Sequence, residues 1–457
     1  MTLSTDPALE RTFREVWAEL SGIGRAPDGG YLRFAWSPAE VALRDWFRVQ
    51  AARRGMPVTH DGNGNLFAVW SPSDGGRPPG ADAAAGSVDA VPDAEGGNRF
   101  AVRSPSDGGR PPGAGSVGAV PGGVLTGSHF DSVPHGGAYD GPLGIVSAFL
   151  AVDLLREQGF RPTRPITVAA FAEEEGSRFG VACLGSRLLT GAIDPQRAAE
   201  LTDRDGMSLG DVLGAAPAGA QPDLVAAFDA YVELHVEQGR ALAGPVGVAS
   251  AIWPHGRWRF DVEGEGNHAG TTLMTDRRDP MLTYAFTVLA ANKEARLRGA
   301  HATVGRVEVS PNATNAIPAA VRGWLDARAA DDETLAGLVE AVAKKATERA
   351  GRDGTAIRFT AESTTGEVRF DPTLAERLAG LLGGVPILPT GAGHDAGVLS
   401  AHLPTAMLFV RNPTGVSHAP AESASDADCA EGIRALARVL EELSARPLVD
   451  HDEGVAR

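Results

Sequence analysis

From residue 124 onward the chain alternates short, wholly apolar runs with longer amphipathic ones. "GVLTGSH" reads as a strand buried on both faces, and "GIVSAFLAVDLLREQG" as an amphipathic helix that closes on Gly159. "RPITVAAFA" is a second buried strand and "AYVELHVEQG" another. Strands without polar alternation, separated by helices, demand an α/β architecture whose mainly parallel sheet is covered by helices. Ligands of such folds sit at the carboxyl ends of the strands. Each of these runs ends there in reactive side chains: His129, then Glu173-Glu174-Glu175, then His235.

The flanks fit around this centre. Residues up to about 55 read as helices, with Ser37 as an N-cap followed by Pro38 and Glu40. "MPVTHDGNGNLFAVW" reads as two strands joined at Gly62-Asn63-Gly64. Residues 244–362 change character: the strand "RWRFDVEGEG", a helix at 278–299, the strands "ATVGRVEVSP" and "AAVRGWLDAR", a helix at 332–350 and the strand "AIRFTAES". That order predicts an α+β module inserted into a larger domain, which resumes with the helix "DPTLAERLAGLL". The expected layout is 1–243 and 363–457 for the larger domain and 244–362 for the insert, and 457 residues suit two domains.

A second interruption is of another kind. "SPSDGGRPPG" stands at 71–80 and again, unchanged, at 104–113. The whole of 71–123 is Gly, Pro, Ala, Asp and Ser with few large apolar residues, too little to offset its ordering entropy. It is expected to be a duplicated low-complexity insertion without order of its own, and two copies are too few for a solenoid.

Charge narrows the partners. A formal net charge of −16 lacks the basic footprint that nucleic acids or anionic membranes require. An anionic substrate would therefore have to be drawn in by local arginines or metal. Two cysteines, Cys183 and Cys429, make neither a disulfide framework nor a zinc–thiolate site. The start has no basic stretch leading into an apolar one, and no run approaches the ~18 apolar residues of a membrane span. A cytoplasmic protein is the expectation.

The densest motif is "TGSHFDSVPHGGAYDG", residues 126–141. His129 and Asp131 one residue apart suggest a metal site only weakly, since a polar turn has the same look. The joint pattern is stronger. Asp140 lies in a glycine-rich turn, Glu174 and Glu175 end the next strand, His235 ends a later one, and His418 sits in "GVSHAP". Imidazole and carboxylate ligands without thiolate suit a hydrolytic zinc, manganese or cobalt centre. A carboxylate shared between two ions would make it dinuclear.

These motifs, with "FAEEEGSRFG", "LHVEQG", "GNHAGTTLMTDRRD", "PNATNAIP" and "GAGHDA" in the same order, resemble the M20 metallopeptidase-like amidohydrolases. The resemblance is to their ureido branch: N-carbamoyl-L-amino-acid hydrolases, β-ureidopropionases and allantoate amidohydrolases. It implies a zinc-peptidase-like catalytic domain with a mixed, mainly parallel sheet flanked by helices, and a small lid and dimerisation domain. It implies two divalent ions per subunit (Zn, Mn or Co), held by His129, Asp140, Glu175, His235 and His418, with Asp140 bridging. Glu174 would be the general base, and Asp131 the carboxylate that orients His129. Glu173/Glu174 is the alternative register for the base and ligand pair.

By the same resemblance the lid's His268 would bind the reacting carbonyl, while Asn315 and Arg328 would hold the substrate carboxylate. Gln238 and His394 match further substrate-site positions. Arg411, seven residues before His418, is either a second substrate cation or half of a structural ion pair. Trp253, Trp258 and Trp324 read as lid core or dimer contacts. The implied activity is hydrolysis of a ureido C–N bond in a small carboxylate-bearing substrate by a homodimer. Allantoate comes first, then an N-carbamoyl-L-amino acid, then a peptide. A binding protein without catalysis would have lost a ligand or the base, and none is missing.

Overall fold

A computed structural model describes residues 6–72 and 123–445. Nearly all of the repeat-bearing 71–123 segment lies outside the described residues. The first two helices begin as their sequences dictate. Asp6 accepts the backbone N–H of Ala8 and Leu9 ahead of the helix Pro7–Leu20. Ser37 accepts that of Glu40 ahead of Pro38–Arg53. Each thus satisfies amides that the first turn leaves unpaired.

Six strands follow: β1 (Val58–His60), β2 (Leu66–Trp70), β3 (Gly123–His129), β4 (Ile166–Phe171), β5 (Phe228–Val236) and β6 (Val246–Ile252). Six more, between 255 and 365, are β7 (His255–Glu263), β8 (Asn267–His268), β9 (His301–Ser310), β10 (Ala316–Ile317), β11 (Ala320–Arg328) and β12 (Ala356–Thr365). The last are β13 (Val368–Arg369), β14 (Ile387–Thr390) and β15 (Thr405–Val410).

The large sheet runs β1-β2-β4-β3-β5-β15-β6-β13, with β14 also on β6. Its centre, β4-β3-β5-β15, is parallel throughout. Antiparallel β2 and β6 flank that centre, which makes the sheet mixed. The sequence layout ended the first part of the large domain at 243, yet β6 pairs with β15 and so keeps residues up to 252 in this sheet. The helix Pro142–Glu157, buried along most of its length, packs on the sheet alongside the last helix, Asp426–Ala445, which also lies against the sheet. Phe47, Phe130, Phe149 and Trp46 meet edge to face in this layer. Truncating a ring such as Phe149 to alanine would cost about 3–5 kcal/mol.

The second sheet, β12-β7-β11-β9, is antiparallel and carries the helices Pro280–Arg298 and Asp332–Asp353 on one face. Phe260, Val262, Leu325, Leu338 and Val342 fill the space between. The chain crosses from β6 to β7 through Trp253 and Pro254. Trp253 N–H donates to Thr390 O, and Ala329 N–H to Pro254 O. Arg328 Nη1 donates to Gly391 O at 2.6 Å. No helix among the described residues is long and apolar enough to cross a membrane.

Candidate metal centre

The parallel centre of the large sheet brings distant residues to one place. His129 is the last residue of β3, His235 the last but one of β5, and the run Glu173-Glu174-Glu175 starts two residues after β4. Asp140 enters on the turn before the helix Pro142–Glu157. Gly141 makes that turn at φ 84°, and a Cβ there would lie 2.5 Å from the His129 ring. Only glycine lets the helix start so close to the imidazole. His418 arrives on the loop after β15.

Asp140 joins two groups of side chains. Its Oδ1 faces His129 Nε2 at 3.5 Å and His235 Nε2 at 3.2 Å. Its Oδ2 faces His418 Nε2 at 3.2 Å, and His418 Nε2 lies 3.4 Å from Glu175 Oε2. Both triads, His129–Asp140–His235 and Asp140–Glu175–His418, are tight enough to hold a metal ion. The backbone fixes which ring nitrogen is offered. His129 Nδ1 sits 3.0 Å from Asp131 O, and His235 Nδ1 2.9 Å from Val236 O. Each Nδ1–H is thereby committed to a carbonyl, which leaves Nε2 as the lone pair. Both Nε2 atoms are buried without a hydrogen-bond partner. Buried acceptors that converge on one carboxylate, with no protein donor to satisfy them, fit a pair of divalent cations.

The three glutamates divide the work. Glu174 Oε2 lies 3.6 Å from His129 Nε2, and Glu175 lies beside His418. Glu173 turns away, and its Oε1 accepts the N–H of Arg178 and Phe179. The geometry therefore favours the Glu174/Glu175 register over Glu173/Glu174. Burial pushes the Glu174 carboxyl well up, with Glu175, Asp395 and Asp131 adding to it against His129. Burial raises Glu175 to about 7, with Asp140 adding to it. For His418 burial alone would lower the imidazole, but Asp140 and Glu175 bring it to about 9. Carboxylates crowded this deeply call for cations among them.

Asp131 acts differently from the sequence expectation. Its carbonyl, rather than its carboxylate, is the nearest partner of His129 Nδ1, the carboxylate standing 3.6 Å away. The carboxylate instead accepts the N–H of Glu174 at 3.1 Å and of Glu175 at 3.0 Å. Asp131 thus ties the end of β3 to the turn that carries both glutamates. Sequence reasoning missed Glu422, whose Oε1 accepts the N–H of Tyr139 and Asp140 and so fixes the backbone of Asp140. It also missed Cys183, whose thiol lies 3.5 Å from Glu174 Oε1. Neither shows in the sequence; in the structure Cys183 is marked by its backbone. Glu173, Cys183 and His418 all hold φ near 55°, a conformation that non-glycine residues keep only when their surroundings impose it.

The remaining expected residues separate into four groups. Gln238 Nε2 donates to Asp140 Oδ2 at 2.8 Å, and the His394 ring lies 4.5 Å from that of His235, so both border the cluster. Arg328 reaches the loop leading to His394 through Gly391 O, and its Nε pairs with Asp326 Oδ1 at 3.1 Å. His268 and Asn315 meet each other, through β8–β10 pairing and the Ala269 N–H bond to Asn315 O, but both are exposed and neither contacts the cluster. Arg411 is a correction. All three nitrogens of its guanidinium are engaged, by both oxygens of Asp428 and by Ala243 O, which makes it a structural ion pair rather than a substrate cation.

The profile described as peptidase family M20/M25/M40 matches residues 125–442. The chain belongs to that family. Over 93% of its length it is 34% identical to an N-carbamoyl-L-amino acid amidohydrolase of Geobacillus stearothermophilus, covering 96% of that protein. Over 95% of its length it is 30% identical to an allantoate amidohydrolase of Escherichia coli, covering 98% of it. Among solved structures, a hydantoinase/carbamoylase-family amidase from Burkholderia vietnamiensis superposes with a TM-score of 0.76 at 27% identity, covering 97% of this chain and all of that one.

Proposed function

We propose that the protein hydrolyses a ureido C–N bond in a small carboxylate-bearing substrate, either an N-carbamoyl-L-amino acid or allantoate. The observation that carries this reading is the two-sided Asp140, with two histidines on one oxygen, a histidine and a glutamine on the other, and Glu174 alongside. The similarity to relatives that act on ureido compounds supports it. His129, Asp140 and His235 would hold one ion, and Asp140, Glu175 and His418 the other. Ions so placed supply Lewis acidity and a nucleophile at neutral pH.

The chain's own groups do the rest. Glu174, its carboxyl raised by burial, accepts a proton from the attacking water and returns it to the leaving nitrogen. Asp131 and Cys183 hold it in place. Arg328 takes the substrate carboxylate with its planar fork. His268 donates to the carbonyl oxygen as charge develops there.

One chain cannot bring all of these to one substrate. Arg328 closes β11, whereas His268 and Asn315 lie near the Ala320 end, and eight residues of strand span about 27 Å. A homodimer in which a second copy supplies His268 and Asn315 resolves this. Leu282, Leu289 and Leu297 on the helix Pro280–Arg298, and Val307 on the edge strand β9, give that copy an exposed apolar face to cover. Product release from allantoate, N-carbamoyl-L-amino acids and dipeptides, after incubation with Zn²⁺, Mn²⁺ or Co²⁺, tests the reading. Ureido turnover supports it, and dipeptide cleavage alone overturns it.

A further inference from the structure

Trp253 was expected in the lid core or at a dimer contact, but it stands where the two sheets meet, half-buried beside Arg328. In the lid sheet Arg328 of β11 pairs directly with His255 of β7 and with His301 of β9. Directly paired residues share a face, so His255 and His301 lie on the same face of the sheet as Arg328, one on each side. The Trp253 indole stacks on His301, with ring centroids 5.6 Å apart and planes 23° from parallel. Its Cε3 lies 3.8 Å from where a Cβ on Gly391 would stand, and Gly391 O accepts Arg328 Nη1. Indole and guanidinium therefore converge on one glycine. Three residues further on is His394, whose ring is 4.5 Å from that of His235.

We propose that Trp253, stacked on His301 beside Arg328, forms the wall that reads the substituent on the substrate's carboxylate-bearing carbon and selects a flat apolar group there. The inference rests on the ureido-hydrolase reading above and narrows its substrate class. In an N-carbamoyl-α-amino acid the carboxylate, the ureido nitrogen and the side chain leave the same carbon. With the carboxylate on Arg328 and the carbonyl at the Asp140 cluster, the side chain leaves the carbon next to the Arg328-bound carboxylate, within reach of the residues beside Arg328. An indole face offers an aromatic ring stacking and apolar contact. It offers the second ureido group of allantoate no match for all its donors and acceptors, and a polar group desolvated without partners is penalised. The order of substrates read from the sequence is thereby reversed: N-carbamoyl-L-amino acids with aromatic side chains come first.

The test is steady-state kinetics of the metal-incubated full-length protein and its Trp253→Ala and Trp253→Phe variants. The substrates are N-carbamoyl-L-phenylalanine, N-carbamoylglycine and allantoate. The wild type should favour N-carbamoyl-L-phenylalanine over both others by about tenfold or more in kcat/KM, the scale of a filled apolar pocket. Trp253→Ala should erase most of that preference, mainly through KM, with the loss falling far more on N-carbamoyl-L-phenylalanine than on N-carbamoylglycine. Trp253→Phe, which keeps a flat ring, should retain the preference, and it carries the test if the alanine variant fails to fold. Ureido hydrolysis that favours allantoate, or whose substrate ranking ignores both substitutions, overturns this inference and leaves the ureido reading standing. No ureido hydrolysis of any substrate by the wild type overturns the reading itself.

Discussion

Arg328 and His268 stand toward opposite ends of one lid: Arg328 pairs with His255 at the end joined to the large sheet, and His268 pairs with Ala316 near the other. If both serve one substrate, they come from different copies of the chain. Two inactive variants, His268→Ala and Glu174→Gln, should then complement when co-expressed. A mixed dimer has one site with both defects and one with neither, so random pairing restores about a quarter of wild-type turnover. Mixtures as inactive as the separate variants would place His268 in its own subunit's site.

Glu174→Gln tests the division among the three glutamates. Turnover should fall at least ~100-fold, the usual scale for a positioned general base, with metal content unchanged by elemental analysis. Loss of metal along with activity would make Glu174 a ligand. Glu173→Gln should instead reduce thermal stability, because Glu173 accepts two backbone amides of the 178–179 turn.

The two arginines should behave oppositely. Arg328→Lys should raise KM for carboxylate substrates by about tenfold or more, since an ammonium cannot reproduce a bidentate fork. Arg411→Ala should leave KM unchanged and cost about 1 kcal/mol in urea unfolding, the loss of a half-exposed bidentate pair with Asp428. A KM effect at Arg411 would return it to the substrate.

Most of this architecture was legible because its signals are local. The buried strands ending in His129, Glu173 and His235 announced a parallel sheet with chemistry at its rim, and Ser37 caps its helix as its side chain requires. What stayed hidden depends on long-range pairing. Asp428 lies 17 residues beyond Arg411, and only folding shows that the two meet. Glu422 meets Asp140 across 282 residues, and Trp253 meets His301 only because β9 and β7 flank β11. A motif shows which side chains are present, but not which atom of Asp131 faces His129.

The segment between β2 and β3 should be dispensable for the fold. Trp70 and Val124 both pair with Ile166, on opposite sides of β4, so two strand spacings, about 10 Å, separate them. A linker of about five residues spans that distance. Replacing 73–122 with a short Gly-Ser turn should preserve solubility and turnover, because loop-closure cost changes slowly with length. Circular dichroism and kinetics of the deletion check this, and loss of soluble protein would mean that the segment packs.

The central claim is that the Asp140 cluster holds two ions and cleaves ureido C–N bonds. The most direct measurement is ureido turnover by chelator-stripped protein as Zn²⁺, Mn²⁺ or Co²⁺ is added back, with metal content per chain determined in the same samples. Turnover should be absent at first and rise as content approaches about two ions per chain, as a shared-carboxylate site requires. Full turnover without metal, or a fully loaded protein that cleaves dipeptides and no ureido substrate, would contradict it.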